Sequence, residues 1–225
     1  MPPTTVHIAI AGLIACALLD EHFDTRAILI VFAATAILDL DAVLGIYYPG
    51  LHRAALHNVW VVLIPLAVLI WDVKLRSNSY VLDRWGEYGF RVGWVTGVAV
   101  LFGHILWDAF HNGANLFWPL HDQFYDLSGH LFVSDRQGIV QTFVELGDDG
   151  DTVRGTTEDT EYWTAVDPAD DPPSMAEDQD PDPDDPPERI AFLAETGEHF
   201  LVTVVGFGVV AFRLWQERIE GDGSR

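Results

Sequence analysis

His7, Asp39, Asp41, His52, His57, His104 and Asp108 all fall at the ends of strongly apolar stretches. Imidazole and carboxylate together are the ligand types of zinc and related divalent ions. His7 opens the first apolar run, and Asp39 and Asp41 close the second. His52 and His57 sit in the connection to the third, and His104 and Asp108 close the fourth. If successive runs pass up and down through a membrane, these positions share one face. Ionisable groups at membrane depth are costly, so their presence there marks function.

The densest local signal is the stretch 103–111, Gly-His-Ile-Leu-Trp-Asp-Ala-Phe-His. His104, Asp108 and His111 are spaced i, i+4, i+7 and lie on one helical face. A histidine and a carboxylate one turn apart can bind one metal, or the carboxylate can orient the imidazole from behind. The plainer alternative is a hydrogen-bonded pair that only ties helices together. Asp39 and Asp41 are two residues apart, about 200° around a continuous helix, so both face one site only if the helix ends there. The i, i+5 spacing of His52 and His57 likewise places them on a loop and a helix start. Arg53 between them can hold a phosphate or carboxylate, or can snorkel to the interface. Glu195 and His199, with Glu198, form a second-tier pair at the start of the last run. They either complete the site or meet water. His22, His121 and His130 read as surface histidines.

The elements that must position these groups are five apolar runs, roughly 5–19, 26–44, 58–74, 92–110 and 191–215. A spanning helix needs about 20 mostly apolar residues. Each run reaches that length only with its polar ends included, and the first is the shortest. A soluble bundle would show amphipathic periodicity. The stretches 27–38, 59–71 and 200–212 are instead apolar all round, which points to a membrane or a deep core. The expected fold is an all-α membrane bundle of about five transmembrane helices, with a small β-rich acidic insertion outside the membrane.

Four segments follow: a four-helix metal-site unit over 1–120, a β-rich insertion over 121–166, a disordered acidic linker over 167–189 and a last transmembrane helix with its tail over 190–225. In the insertion, two β-rich runs flank Gly-Asp-Asp-Gly at 147–150, which predicts a hairpin or small sheet. The linker is a Pro/Asp/Glu run with almost nothing to bury. Lys and Arg set orientation. Arg26, Lys74, Arg76, Arg84, Arg91, Arg213, Arg218 and Arg225 fall on one side, and Arg53, Arg136, Arg154 and Arg189 on the other. The first side is expected to be cytoplasmic, leaving the His/Asp face and the insertion extracellular.

The chain is 49% hydrophobic yet carries a formal charge of −22 over 225 residues, with the acid concentrated after residue 120. That charge argues against a nucleic-acid partner. A single lysine amid abundant aspartate fits a haloarchaeal-type composition, because acidic surfaces stay hydrated in high salt. Cys16 is the only cysteine, so neither an intramolecular disulfide nor a cysteine-based zinc site is possible. The N-terminus lacks a basic n-region and is expected to be retained.

The ordered motifs resemble those of the membrane-bound, predicted metal-dependent hydrolases of the YdjM type. They are His7, Asp39-Leu-Asp41, His52-Arg53-Ala-Ala-Leu-His57-Asn58, His104-Ile-Leu-Trp-Asp108 and Phe117-Trp118-Pro119-Leu120. Asn58 stands where that family usually has Ser, Ala42 where a His often follows, and His111 where Thr is common. The resemblance covers about the first half of the chain. It implies a membrane-embedded hydrolase similar to zinc-dependent phospholipase C sites.

On this reading one or two divalent ions, zinc foremost, are held among the seven residues and activate a water. Asp41 or Asp108 serves as general base, and Arg53 neutralises charge on a phosphoryl oxygen. The partners expected are the lipid bilayer and a lipid-type phosphoester. The alternatives are a non-catalytic protein that binds or moves a metal ion or proton, and a structural anchor for the acidic domain.

Overall fold

Asp24 and Ser79 each cap a helix start by accepting a backbone N–H three residues on, from Ala27 at 2.6 Å and Leu82 at 3.1 Å, and the helix that Ser79 caps kinks at Gly86. The computed structural model describes residues 2–144, 152–160, 162 and 192–223. Within them α1 runs Thr4–Leu18, α2 Thr25–Ala36, α3 Asp41–Gly45 and α4 Trp60–Ile70. Next come α5 over Tyr80–Val100, α6 over Leu106–His111 and α7 over Gly197–Gly223. A 3-10 turn, Ile37–Leu40, joins α2 to α3, and a π-helical turn, Leu101–Ile105, joins α5 to α6.

Among the described residues three helical rods are long and apolar enough to cross a membrane: Thr25–Gly45, Tyr80–His111 and Gly197–Ile219. The expectation of five is reduced for a physical reason. The helix Thr4–Leu18 has 15 residues and stops before Asp20, whose φ of 53° is left-handed. At 1.5 Å per residue it extends about 22 Å, short of a hydrocarbon core of about 30 Å. The third run starts late. Asn58 turns its side chain onto the Trp60 N–H, and the Val59 N–H is tied to the Leu116 carbonyl, so α4 begins only at Trp60.

Small residues bring the helices close. A Cβ at Gly12 would lie 2.8 Å from Val210 on α7, and one at Gly206 2.8 Å from Ala9 on α1. These close approaches pack α7 on α1. Below the site Ala15, Leu19, Ala27, Val31, Val95 and Ala99 are fully buried in a core shared by α1, α2 and α5. The outer surface is apolar too: Phe200, Leu201, Val204 and Phe212 on α7 are all more than half exposed, which suits lipid rather than water.

Among the described residues four short strands form two antiparallel pairs. Phe124–Tyr125 (β1) pairs with Val153–Gly155 (β4), and Leu131–Ser134 (β2) with Gly138–Gln141 (β3). Both β-rich runs therefore carry strands, but not paired with each other as one hairpin. The local turn wins: Ser134 Oγ accepts the N–H groups of Arg136 and Gln137, and Gly138 takes a φ of 73° that a glycine tolerates. The expected Gly/Asp turn at 147–150 and the acidic linker at 167–189 lie outside the described residues.

Candidate metal centre

Gly103 sets the geometry at the helix ends. A Cβ there would lie 3.1 Å from the Ala11 nitrogen, so its glycine lets the π-helical turn press on α1. The Gly103 carbonyl then accepts from His7 Nδ1 at 3.0 Å, and the His7 ring stacks on His104 at 3.8 Å between centroids, within 1° of parallel. π-helical turns recur at functional sites because they displace a side chain from the ordinary helical register. This one carries His104.

The other groups arrive from α2 and the loop beyond it. The 3-10 turn aims Asp39 inward. Its Oδ1 lies 3.2 Å from His104 Nε2 and 3.7 Å from His57 Nε2, while Thr4 Oγ1 donates to its Oδ2 at 2.5 Å. His57 Nε2 is 3.0 Å from His104 Nε2 and 3.2 Å from Asp108 Oδ2. His7 Nε2 is 3.3 Å from Asp108 Oδ1. Two overlapping triads result, His7–His104–Asp108 and Asp39–His57–His104, each with its ligand atoms within 4.8 Å of one another.

Proton positions follow from the partners. His7 Nδ1 donates to the Gly103 carbonyl and His104 Nδ1 to the Thr35 carbonyl at 2.9 Å. His57 Nδ1 donates to Asp41 Oδ2 at 2.7 Å. These acceptors take the hydrogen on Nδ1, so in their neutral form all three rings turn the Nε2 lone pair toward the two carboxylates. His7 Nε2 and Asp108 Oδ2 are buried with no hydrogen-bond partner. Each orphaned atom costs about 1–3 kcal/mol unless something positive sits among them. Atoms about 2.0–2.2 Å from a common tetrahedral ion lie roughly 3.3–3.6 Å apart. The observed separations of 3.0–3.8 Å bracket that value. The donor set suits a divalent ion.

His57 lies in the connection before α4, outside the spanning rods. Burial opposes a charge on its ring, but the carboxylates of Asp41 and Asp108 outweigh it and raise its pKa to about 10. Without a metal, one proton on His57 Nε2 therefore relieves part of the lone-pair crowding.

Five of the seven residues expected at the site face one another: His7, Asp39, His57, His104 and Asp108. The other two stand behind them. Asp41 accepts from His57 through Oδ2 and from His52 Nδ1 through Oδ1 at 2.9 Å. His52 Nε2 is buried, lacks a partner and belongs to neither triad.

Arg53 is fully buried with a left-handed φ of 64°, a conformation that a non-glycine residue holds only under surrounding constraint. Its guanidinium donates to the Gly113 carbonyl at 2.9 Å and to Asp108 Oδ1 at 3.2 Å. Tyr162, from the insertion, places its ring 4.9 Å from the Arg53 carbon.

His111 donates to the Trp107 carbonyl, and its ring lies 6.2 Å from that of the buried His199, so these two meet each other outside both triads. Glu195 and Glu198 are exposed, as are His121 and His130, while His22 is partly buried. Thr4, Tyr162 and the carbonyls of Thr35, Gly103 and Gly113 were not legible as site components. Only the Thr4-to-His7 spacing, one helical turn, carried any hint.

The bundle and its buried cluster define a membrane-associated, metal-binding helical protein. Comparison with protein-family models, with curated proteins and with solved structures returns no match.

Proposed function

We propose that the chain is a multi-pass membrane hydrolase that uses one or two divalent ions, zinc foremost, on a lipid-type phosphoester. The observation that carries this reading is the convergence of the Nε2 atoms of His7, His57 and His104 on the Asp39 and Asp108 carboxylates at the buried helix ends. His7, Asp39, His57, His104 and Asp108 are the ligands. A divalent ion supplies a water of lowered pKa and polarises a phosphoryl oxygen.

The chain's own groups do the rest. Asp41 holds the His57 ring in the tautomer that ligation needs and is occupied by two histidines. Of the two carboxylates expected as general base, Asp108 is therefore the better placed, since its Oδ2 is free and faces the cluster. Arg53 fixes Asp108 through Oδ1 and acts as a positioning residue. His52 extends the Asp41 network away from the cluster.

The excess of Lys and Arg at the opposite helix ends supports a site on the extracellular face. A headgroup-level site suits an ester whose phosphate sits at the bilayer surface.

The test is turnover by full-length protein in phospholipid vesicles, assayed with short- and long-chain phosphoesters. Hydrolysis that disappears with chelator and returns with zinc supports the reading. Metal uptake across the vesicle wall without hydrolysis favours the transport alternative.

A further inference from the structure

We infer that the cleft between α2 and α4 is a slot for the alkyl chain of the substrate, reached sideways from the bilayer. This inference rests on the hydrolase reading above. α2 and α4 each pack against α5 but have no extensive contact with each other. The gap encloses about 400 Å³, within the size range of ligand pockets. Its walls are Ile37 and Leu38 on one side and Val62 and Pro65 on the other, with Thr96 and Gly97 on the floor. No charged side chain lines it.

Glycine makes the gap. A Cβ at Gly97 would lie 2.7 Å from Leu66 Cδ2, and one at Gly93 2.9 Å from Leu69 Cδ2. Their absence lets both leucines lean onto α5, which draws α4 toward α5 and leaves the side facing α2 open.

Position identifies the occupant. Ile37, Leu38, Thr96 and Gly97 belong to membrane-crossing rods, so hydrocarbon is the solvent at this depth. One end of the cleft meets the metal-binding cluster on all three helices. Leu38 precedes Asp39, Val100 lies four residues before His104, and Val61, in the first turn of α4, follows the loop residue His57 by four. Asp39 is also where the facing set opens: its side chain is 19% exposed, against 0% for His7, His57, His104 and Asp108. A head held by an ion at the cluster would sit beside Asp39, and the apolar cleft begins at the preceding residue, Leu38. An amphiphile with a single phosphate head and an alkyl chain fits both parts at once.

The probe is an alkyl phosphate with a diazirine midway along its chain, photolysed with full-length protein in phosphatidylcholine vesicles and mapped by mass spectrometry. Labelling should concentrate on Ile37, Pro65 and Thr96 rather than on the lipid-facing Phe200, Val204 and Phe212, and unlabelled dodecyl phosphate should compete it away. Thr96→Phe, which fills the floor, should abolish that labelling. So should Ile37→Trp, at an exposed rim position that tolerates bulk.

Labelling spread evenly over the cleft and α7, or unchanged by both substitutions, overturns the slot. Metal content measured on the same samples separates the two claims. Even labelling of metal-loaded protein removes the slot and leaves the hydrolase reading. Concentrated labelling of protein that binds no metal upholds the slot and removes the hydrolase reading.

Discussion

His57 and His104 meet Nε2 to Nε2 at 3.0 Å, and each has already donated its other ring nitrogen, His57 to Asp41 and His104 to the Thr35 carbonyl. Two lone pairs at that distance repel, and the carboxylates of Asp39 and Asp108 add negative charge beside them. A proton or a metal ion must reconcile them.

Asp41→Asn keeps the size of the side chain but removes the charge that orients His57. Loss of such a carboxylate behind a ligating histidine typically lowers metal affinity about 10–100-fold. Equilibrium zinc titration should show a drop of that size, with helix content unchanged. His52→Ala should leave affinity much closer to wild type, because His52 Nε2 does not face the cluster. Equal losses in both variants would mean that His52 also reaches the ion.

Metal binding should tighten as pH rises. The folded-state pKa of His57 is raised from 6.5 to about 10. In the metal-free protein the proton on His57 therefore stabilises the fold below about pH 6.5, and that contribution is lost as pH climbs toward 10. The ion needs that proton gone, so apparent affinity should rise about tenfold per pH unit between roughly pH 7 and 9. Calorimetry in buffers of different ionisation enthalpy should detect about one proton released per ion. Affinity that does not vary with pH would show that His57 is not a ligand.

Arg53→Met strips Asp108 of its buried partner. Removing one member of a buried ion pair costs about 3–5 kcal/mol, because the remaining charge is uncompensated. Bound metal also neutralises Asp108, so the loss of thermal stability should be greater in chelated protein than in metal-loaded protein. A loss of the same size in both would place the ion away from Asp108.

Much of this centre is legible in the sequence because ligand types sit where helices end. His104 and Asp108 are one turn apart, and their four-residue spacing survives the π-helical turn. Asp39 and Asp41 required a helix end, and the 3-10 turn Ile37–Leu40 provides it. What the chain order hides is tertiary. Nothing local separates Asp39, which faces the cluster, from Asp41, which backs it. That split depends on where His52 and His57 fold back. The stacking of His7 on His104 depends on a glycine on another helix, and Tyr162 reaches Arg53 from more than 100 residues away. Apolarity alone also overstated the spans, because it does not show where Asn58 and Val59 make loop hydrogen bonds that delay α4.

Topology is tested by cysteine labelling in a Cys16→Ala background. Ser77 is exposed and serves the inner side, and Asp135, exposed at the β2–β3 turn, serves the outer side. In intact cells an impermeant thiol reagent should label Asp135→Cys and spare Ser77→Cys. The reverse pattern would put the cluster on the cytoplasmic face.

The central claim is that a metal ion occupies the space between His57 and His104. Its most direct test is elemental analysis of full-length protein purified in mild detergent without chelator. About one or two divalent ions per chain should be found, and none in a folded His104→Ala, Asp108→Ala double variant. A folded wild-type protein that carries no metal and takes up none on zinc titration would contradict it.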